Sequence, residues 1–260
     1  VTVRAILIEE GKEPSDIISN TYFFSNNDPV QDKLPIISLT LNENQLKGFY
    51  DGIGVPGVDY ENWRYTSEIL TGGFSPANYR RSGRDAEIPA NIEVYENGKQ
   101  VLNQTIGLRI HGGWSRSFPH KSFRLYARNF YSKDVMTYSF FKDLPYEDFQ
   151  RIILRNSGND YSGTFFKDAF LQRLMSFSNL DYQEYNPFII YINGEYWGLL
   201  NARERIDVKY FQRKYGFNDS EIDFLENIKG VIVGDTLHYT NFLSSLSDID
   251  LTTEETFKYV

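Results

Sequence analysis

Hydrophobic and polar residues alternate with a period of two in several short runs of this chain. Such alternation places one face of a strand in a core and the other towards solvent. The first run, "VTVRAILI", begins at residue 1 and forms the first of two strands over residues 1–24, joined by the turn "EEGKEPSD". "LPIISLTL" repeats the pattern, with Pro35 at its start, where the missing N–H costs no ladder bond. "ANIEVYENGKQVLNQTIGLRI" is predicted to be a hairpin turning at Asn97-Gly98, since a type I′ turn needs positive φ at both central residues. "KSFRLYAR" supplies a further strand, "QRIILRNSG" a short apolar strand or turn, and "NPFIIYINGEYWGLLNARE" a second hairpin at Asn193-Gly194.

A period near 3.6 marks the helices. In "GTFFKDAFLQRLMSF" the residues Phe166, Phe170, Leu174 and Phe177 share one face, with Ser162 or Thr164 as N-cap and Asp160 close to the positive end of the dipole. Asp207 is placed to cap a helix that stops at Gly216, the residue type that most easily adopts the left-handed terminal conformation. "DLTTEETFKYV" reads as a helix start with Thr252 as N-cap and Glu255 completing a capping box. Between the first strands and the Asn97-Gly98 hairpin, residues 43–90 are glycine-rich and loop-like. The order of elements predicts an α+β fold with a mostly antiparallel sheet and flanking helices. The abrupt strand at one end and the freshly capped helix at the other lead to the expectation of an excerpt from a longer protein.

Composition narrows the function. The chain has 260 residues, 41% of them hydrophobic and 24% charged, enough for one large core. A net charge of −8 argues against nucleic acid as a partner, because phosphate neutralisation needs a basic face. With no cysteine, disulfides and thiolate metal sites are excluded. No apolar run is long enough for a transmembrane helix.

Candidate chemistry concentrates in "GLRIHGGWSRSFPHKSFRLY", residues 107–126. Gly112 and Gly113 allow close approach of backbone amides, Ser115 and Ser117 add hydroxyls, and Arg109 and Lys121 add positive charge, which together suit a phosphate. The alternative is a hairpin loop with turn-forming glycines and solvated cations. His111 and His120 stand nine residues apart with no third ligand at recognisable spacing, and His238 stands alone, so all three read as solvated or packed rather than metal-binding. Asp160 reads as a capping residue, while Asp168, one turn into its helix, is free to face a cation such as Lys121. The charges of "NARERIDVKY" form either a solvated face or the mouth of a cleft.

Taken in order, "LPIISLTL", "GLRIHGGWSRSFPHKSFRLYAR", "LRNSGNDYSGTFFKDAFLQRL", "YINGEYWGLLNARERID" and "YFQRKYG" resemble the CotH family of spore-coat-type atypical protein kinases. The resemblance covers residues 34–260, preceded by a linker over 25–33. Residues 1–24 are similar to the last strands of a chitobiase C-terminal-like β-sandwich module. The resemblance implies an incomplete protein-kinase-like domain and transfer of phosphate from ATP, with Mg or Mn, to protein Ser/Thr at a bacterial cell surface or coat. It also implies a nucleotide site in which the 112–115 loop covers the phosphates and Lys121 pairs them. Asp168 would hold that lysine, and Glu204 would lie near the hinge between lobes. The family's catalytic and metal-binding acids lie in later segments resembling "N-x-D-x-x-x-x-N" and "W-D-x-D", which do not occur here. Catalytic residues are therefore expected only beyond Val260, and the excerpt itself is expected to be inactive. The competing expectation is a non-catalytic surface scaffold or glycan-binding module using Trp63, Trp114 and Trp197.

Overall fold

The computed structural model describes residues 1–24, 34–66, 72–227 and 230–259. The expected linker over 25–33 lies outside the described residues, as do 67–71 of the glycine-rich stretch. Val260, the residue past which the family's catalytic acids are expected, lies outside them as well. Thirteen strands appear in chain order among the described residues: β1 (Thr2–Ala5), β2 (Ile18–Thr21), β3 (Ile36–Leu41), β4 (Ile88–Glu96), β5 (Lys99–His111), β6 (Ser122–Tyr126), β7 (Met136–Thr137), β8 (Asp148–Phe149), β9 (Arg151–Arg155), β10 (Tyr185–Ile192), β11 (Glu195–Arg203), β12 (Phe224–Glu226) and β13 (Gly230–Val233). The helices are α1 (Glu43–Lys47), α2 (Gly57–Arg64), α3 (Lys167–Leu174), α4 (Val208–Tyr215), α5 (Leu237–Ser247) and α6 (Glu254–Tyr259).

The chain divides into two compact units, residues 1–205 and 206–260. In the first, seven strands close into a barrel in the order β10-β11-β9-β6-β5-β4-β3. Every junction is antiparallel except the last, where β10 lies parallel to β3 with Ile189 opposite Ile36. Sequence alternation led to a mostly antiparallel sheet within a mixed α/β fold, and both are present. Closure of that sheet into a barrel was not expected.

The alternation also fixes what lies inside. Ile88, Ala90, Ile92 and Val94 of β4, Ile106, Leu108 and Ile110 of β5, and Phe123 and Leu125 of β6 point into one buried core. Ile37 and Leu39 of β3, Ile152 and Leu154 of β9, Phe188 and Ile190 of β10, and Leu200 and Ala202 of β11 complete it. Intervening residues therefore face outward, among them Glu93, Arg109, His111, Arg124, Arg155 and Arg203. Both predicted hairpins turn as expected, with φ of 52° and 74° at Asn97 and Gly98, and of 52° and 83° at Asn193 and Gly194.

Residues 1–24 form the β1–β2 ladder and lie in the same unit as the barrel. They are tied to it by the backbone N–H and hydroxyl of Thr21, which donate to the buried Glu93 carboxylate at 2.9 and 2.7 Å. Phe23 extends the contact edge-on to Tyr95 and Tyr191.

Three helix expectations need correction. The 162–177 segment is helical only from Lys167, because Phe165 takes a positive φ of 66° that interrupts the turn before it. Thr252 does not cap the last helix: its hydroxyl donates to Asp250, and α6 begins two residues later. Residues 43–90 are less loop-like than their glycines suggested, since they carry α1 and α2. In the second unit α4 matches the sequence reading, with the Asp207 carboxylate accepting from Lys209 N and Tyr210 N and Gly216 at φ 76°. Helix α5, between β13 and α6, had no sequence signal strong enough to be expected.

Candidate functional site

The candidate loop joins β5 to β6 and contains a short 3₁₀ turn at residues 114–117. Gly112 sits at φ +116°, a region side-chain-bearing residues rarely adopt, and an added Cβ would meet the Ser115 hydroxyl. The glycine is therefore required by the turn itself. The loop's carbonyls face guanidinium groups. Arg116 Nε donates to Gly112 O at 2.7 Å, Arg80 Nη1 donates to Gly113 O at 2.8 Å, and Arg116 Nη1 reaches Arg81 O at 3.0 Å. Trp114 leans against Phe74 with ring centroids 5.3 Å apart and lies so close to Gly73 that a Cβ there would approach within 2.7 Å. The loop is thus braced by arginines and one aromatic contact.

Lys121 lies at the loop's exit with only 5% of its surface exposed. Its ammonium donates to Arg116 O at 2.6 Å and sits 4.3 Å from the centre of the Tyr79 ring. Burial pulls its pKa down to about 8. Among the described residues no carboxylate pairs with it. Its charge is stabilised by one carbonyl and one ring face and is otherwise uncompensated.

Asp168 does stand in the first turn of α3, facing the sheet, but it meets a different cation. Its carboxylate accepts from Arg203 Nη1 at 2.9 Å and lies 3.8 Å from Arg155 Nε. Arg203, on β11, is almost wholly buried, and Asp168 supplies the anion its charge needs. Glu204 is buried too, accepting from Tyr146 Oη at 2.9 Å and from Glu184 N at 3.3 Å. Arg109 pairs with Glu87 at 2.7 Å, and Arg128 binds the same carboxylate at 2.7 and 3.0 Å. Both guanidiniums also lie over the Tyr126 ring. Burial would raise the Glu87 pKa, but the two arginines outweigh it and hold the carboxyl below its ordinary value. Of the seven candidates, Arg109, Gly112, Gly113, Ser115 and Lys121 share the β5–loop–β6 hairpin. Asp168 and Glu204 are held by other partners.

His111 and His120 are packed, whereas His238 on α5 is exposed. His111 accepts from Arg124 Nε at 2.9 Å through Nδ1. Burial, then the nearby charges of Arg124, Arg155, Arg116 and Arg205, push its pKa down to about 3, so it is neutral at physiological pH. His120 lies among Tyr161, Phe165 and Trp197, and its pKa is lowered by burial. Asp160 caps as expected, accepting from Thr164 N at 3.0 Å, Thr164 Oγ1 at 2.7 Å and Lys167 N at 2.8 Å. Trp63 is buried, Trp197 packs partly against the core, and Trp114 is about half exposed. The three tryptophans do not share one exposure or one element.

Sequence reasoning missed Arg124, Arg116 and Glu87. A usable signal was present for the first: strand parity puts Arg109 and His111 on one face of β5, and Arg124 directly opposite Arg109 on β6. Glu87 carried none, because it meets Arg109 and Arg128 only once β4, β5 and β6 are side by side.

A search of curated proteins returned no match to the chain. Residues 108–251, more than half of the sequence, match the family described as "CotH kinase protein". The match starts within β5 and takes in the loop, Lys121, Asp168 and Glu204. The preceding strands, including residues 1–24, fall outside it. The chain therefore belongs to the CotH kinase protein family.

Proposed function

We propose that this chain supplies the phosphate-facing part of a protein kinase that moves a phosphoryl group from ATP to a protein Ser or Thr at a bacterial surface or coat. The observation that carries the proposal is Lys121: a buried ammonium with no carboxylate partner among the described residues, on the hairpin that the family match includes. A buried cation in that condition gains from an arriving anion, and phosphate oxygens are the anions a kinase offers it. The kinase-like reading of the barrel belongs to the same proposal. β5 and β6 stand as the strands flanking a phosphate loop, and α3 as the helix whose first-turn acid faces the sheet.

ATP with Mg²⁺ or Mn²⁺ would supply the transferable phosphoryl group and the charge neutralisation it needs. The residues present suit the phosphates better than the metal. Among the described residues no group of three or more His, Asp or Glu is arranged to hold a metal ion, and no residue is assigned to that role. On binding, Lys121 would keep its proton and orient phosphate oxygens. Arg116 would hold the loop through Gly112 O, and the Trp114–Phe74 contact would limit water on one side.

Calorimetric titration of ATP with Mg²⁺ or Mn²⁺ into the wild type and Lys121→Ala tests the reading. Binding to the wild type and its loss in the variant is the expected result. No heat from the wild type, or equal binding by both proteins, would overturn it.

A further inference from the structure

The outer face of the barrel across β5, β6 and β9 is unusually cationic for a chain of net charge −8. Arg109, Arg124 and Arg155 on these strands, with Arg116, Arg128 and Arg203 beside them, share two carboxylate partners among the described residues, Glu87 and Asp168. Arg124 has none. It is half-buried, and its single hydrogen bond within the protein runs from Nε to the uncharged His111. Among the described residues neither terminal nitrogen of its guanidinium has a hydrogen-bond partner, and neither is among the fully buried unsatisfied atoms. His111 accepts through Nδ1, so its proton is on Nε2, a donor that also reaches solvent without a partner. Arg155 completes the surroundings. Arg124 lies opposite Ile153 in the β6–β9 register, which places Arg155 diagonally across at about 7–8 Å of backbone separation. Its only acid among the described residues is the shared Asp168 at 3.8 Å.

A half-buried arginine without an anion is costly, and guanidinium forks match tetrahedral oxyanions by paired hydrogen bonds. We propose that Arg124, supported by His111 Nε2–H and Arg155, binds a phosphate-class dianion on the outer face of β6. This deepens the kinase reading by naming a phosphate contact other than Lys121, and it rests on that reading only for the source of the phosphate. Two sources share the chemistry: a nucleotide phosphate, or the phosphoryl group of a phosphorylated serine.

The test titrates inorganic phosphate, ATP without metal, and O-phosphoserine into the full 260-residue chain. Wild type, Arg124→Gln, Arg124→Lys and Lys121→Ala are compared by calorimetry and ³¹P line broadening, with thermal melts reporting folding. Salt-sensitive phosphate binding is expected, weakened about tenfold or more by Arg124→Gln and less by Arg124→Lys. The source is the ligand, ATP or phosphoserine, whose affinity exceeds that of phosphate in an Arg124-dependent way. If Arg124→Gln does not fold, Arg155→Gln takes its place, with a smaller loss expected. Absence of phosphate binding by the wild type, or undiminished binding by the folded variant, overturns the inference. ATP binding that depends on Lys121 but not on Arg124 would overturn it while leaving the kinase reading intact. Arg124-dependent phosphate binding without ATP binding would do the reverse.

Discussion

Two charge clusters on the same barrel, a few residues apart in sequence, are built in opposite ways. Around Glu87 one buried carboxylate meets two guanidiniums, Arg109 and Arg128, each bonded and each over the Tyr126 ring. Around Lys121 one ammonium meets a carbonyl and a phenol ring, and around Arg124 one guanidinium meets a neutral imidazole, with no acid at either among the described residues. The first cluster is closed: adding or removing a charge breaks something already satisfied. The second is open, and an external anion would complete it. The comparison separates arginines and lysines that hold the fold from those available for binding, a distinction that counting charges along the hairpin does not make.

The largest effect should come from breaking the closed cluster. Glu87→Ala would leave two guanidiniums facing each other over a buried cavity and should cost about 3–5 kcal/mol, read as a lower urea midpoint with unchanged slope. An unchanged midpoint would show that the pairing carries no stability. The same cluster has a pH signature. The folded-state pKa of Glu87 is depressed, so its contribution is fully present above the unfolded carboxyl value and is lost as pH falls through the lower folded value. Acid titration of stability should therefore be flatter in Glu87→Ala than in the wild type.

A middle effect is expected at Asp168, which is partly exposed but serves the buried Arg203. Asp168→Ala should destabilise by about 2 kcal/mol, the scale of a charge-assisted hydrogen bond. Loss of ATP binding without loss of stability would instead point to a direct role for Asp168 with the nucleotide.

The smallest cost, or a gain, belongs to the open cluster. Lys121→Met removes a buried, uncompensated ammonium and should leave stability at neutral pH unchanged or slightly raised. The sign with pH is opposite to that of Glu87. Below about 8 the lysine is charged in both states and its burial cost is complete. As pH rises from there towards the unfolded value of about 10.4, the folded form loses its proton first and wild-type stability rises. The gap between wild type and Lys121→Met should thus narrow across that window. A gap that is constant with pH would mean that Lys121 is not desolvated in solution.

The parts legible in the sequence are those decided by neighbours along the chain. Asn97-Gly98 and Asn193-Gly194 announce their hairpins because positive φ is a property of the residue itself, and Asp207 and Gly216 bound α4 because capping acts over one turn. Alternation assigned the inward faces of β4, β5 and β6 for the same local reason. Where a neighbour in space overrides one in sequence, the reading failed. Phe165 breaks a helix that its hydrophobic period favoured, and Thr252 turns to Asp250 instead of capping.

The sequence by itself determined β1–β6, β10 and β11, the two turns, the capped helix α4 and the loop on which Lys121 sits. Only the tertiary structure decided that β10 closes on β3, that Asp168 belongs to Arg203 rather than Lys121, and that Glu87 is shared by Arg109 and Arg128. It also left Arg124 without an acid. Those outcomes depend on which charges become neighbours when distant strands pair. Coulombic partners are chosen by burial and proximity in space, and a one-dimensional pattern carries neither.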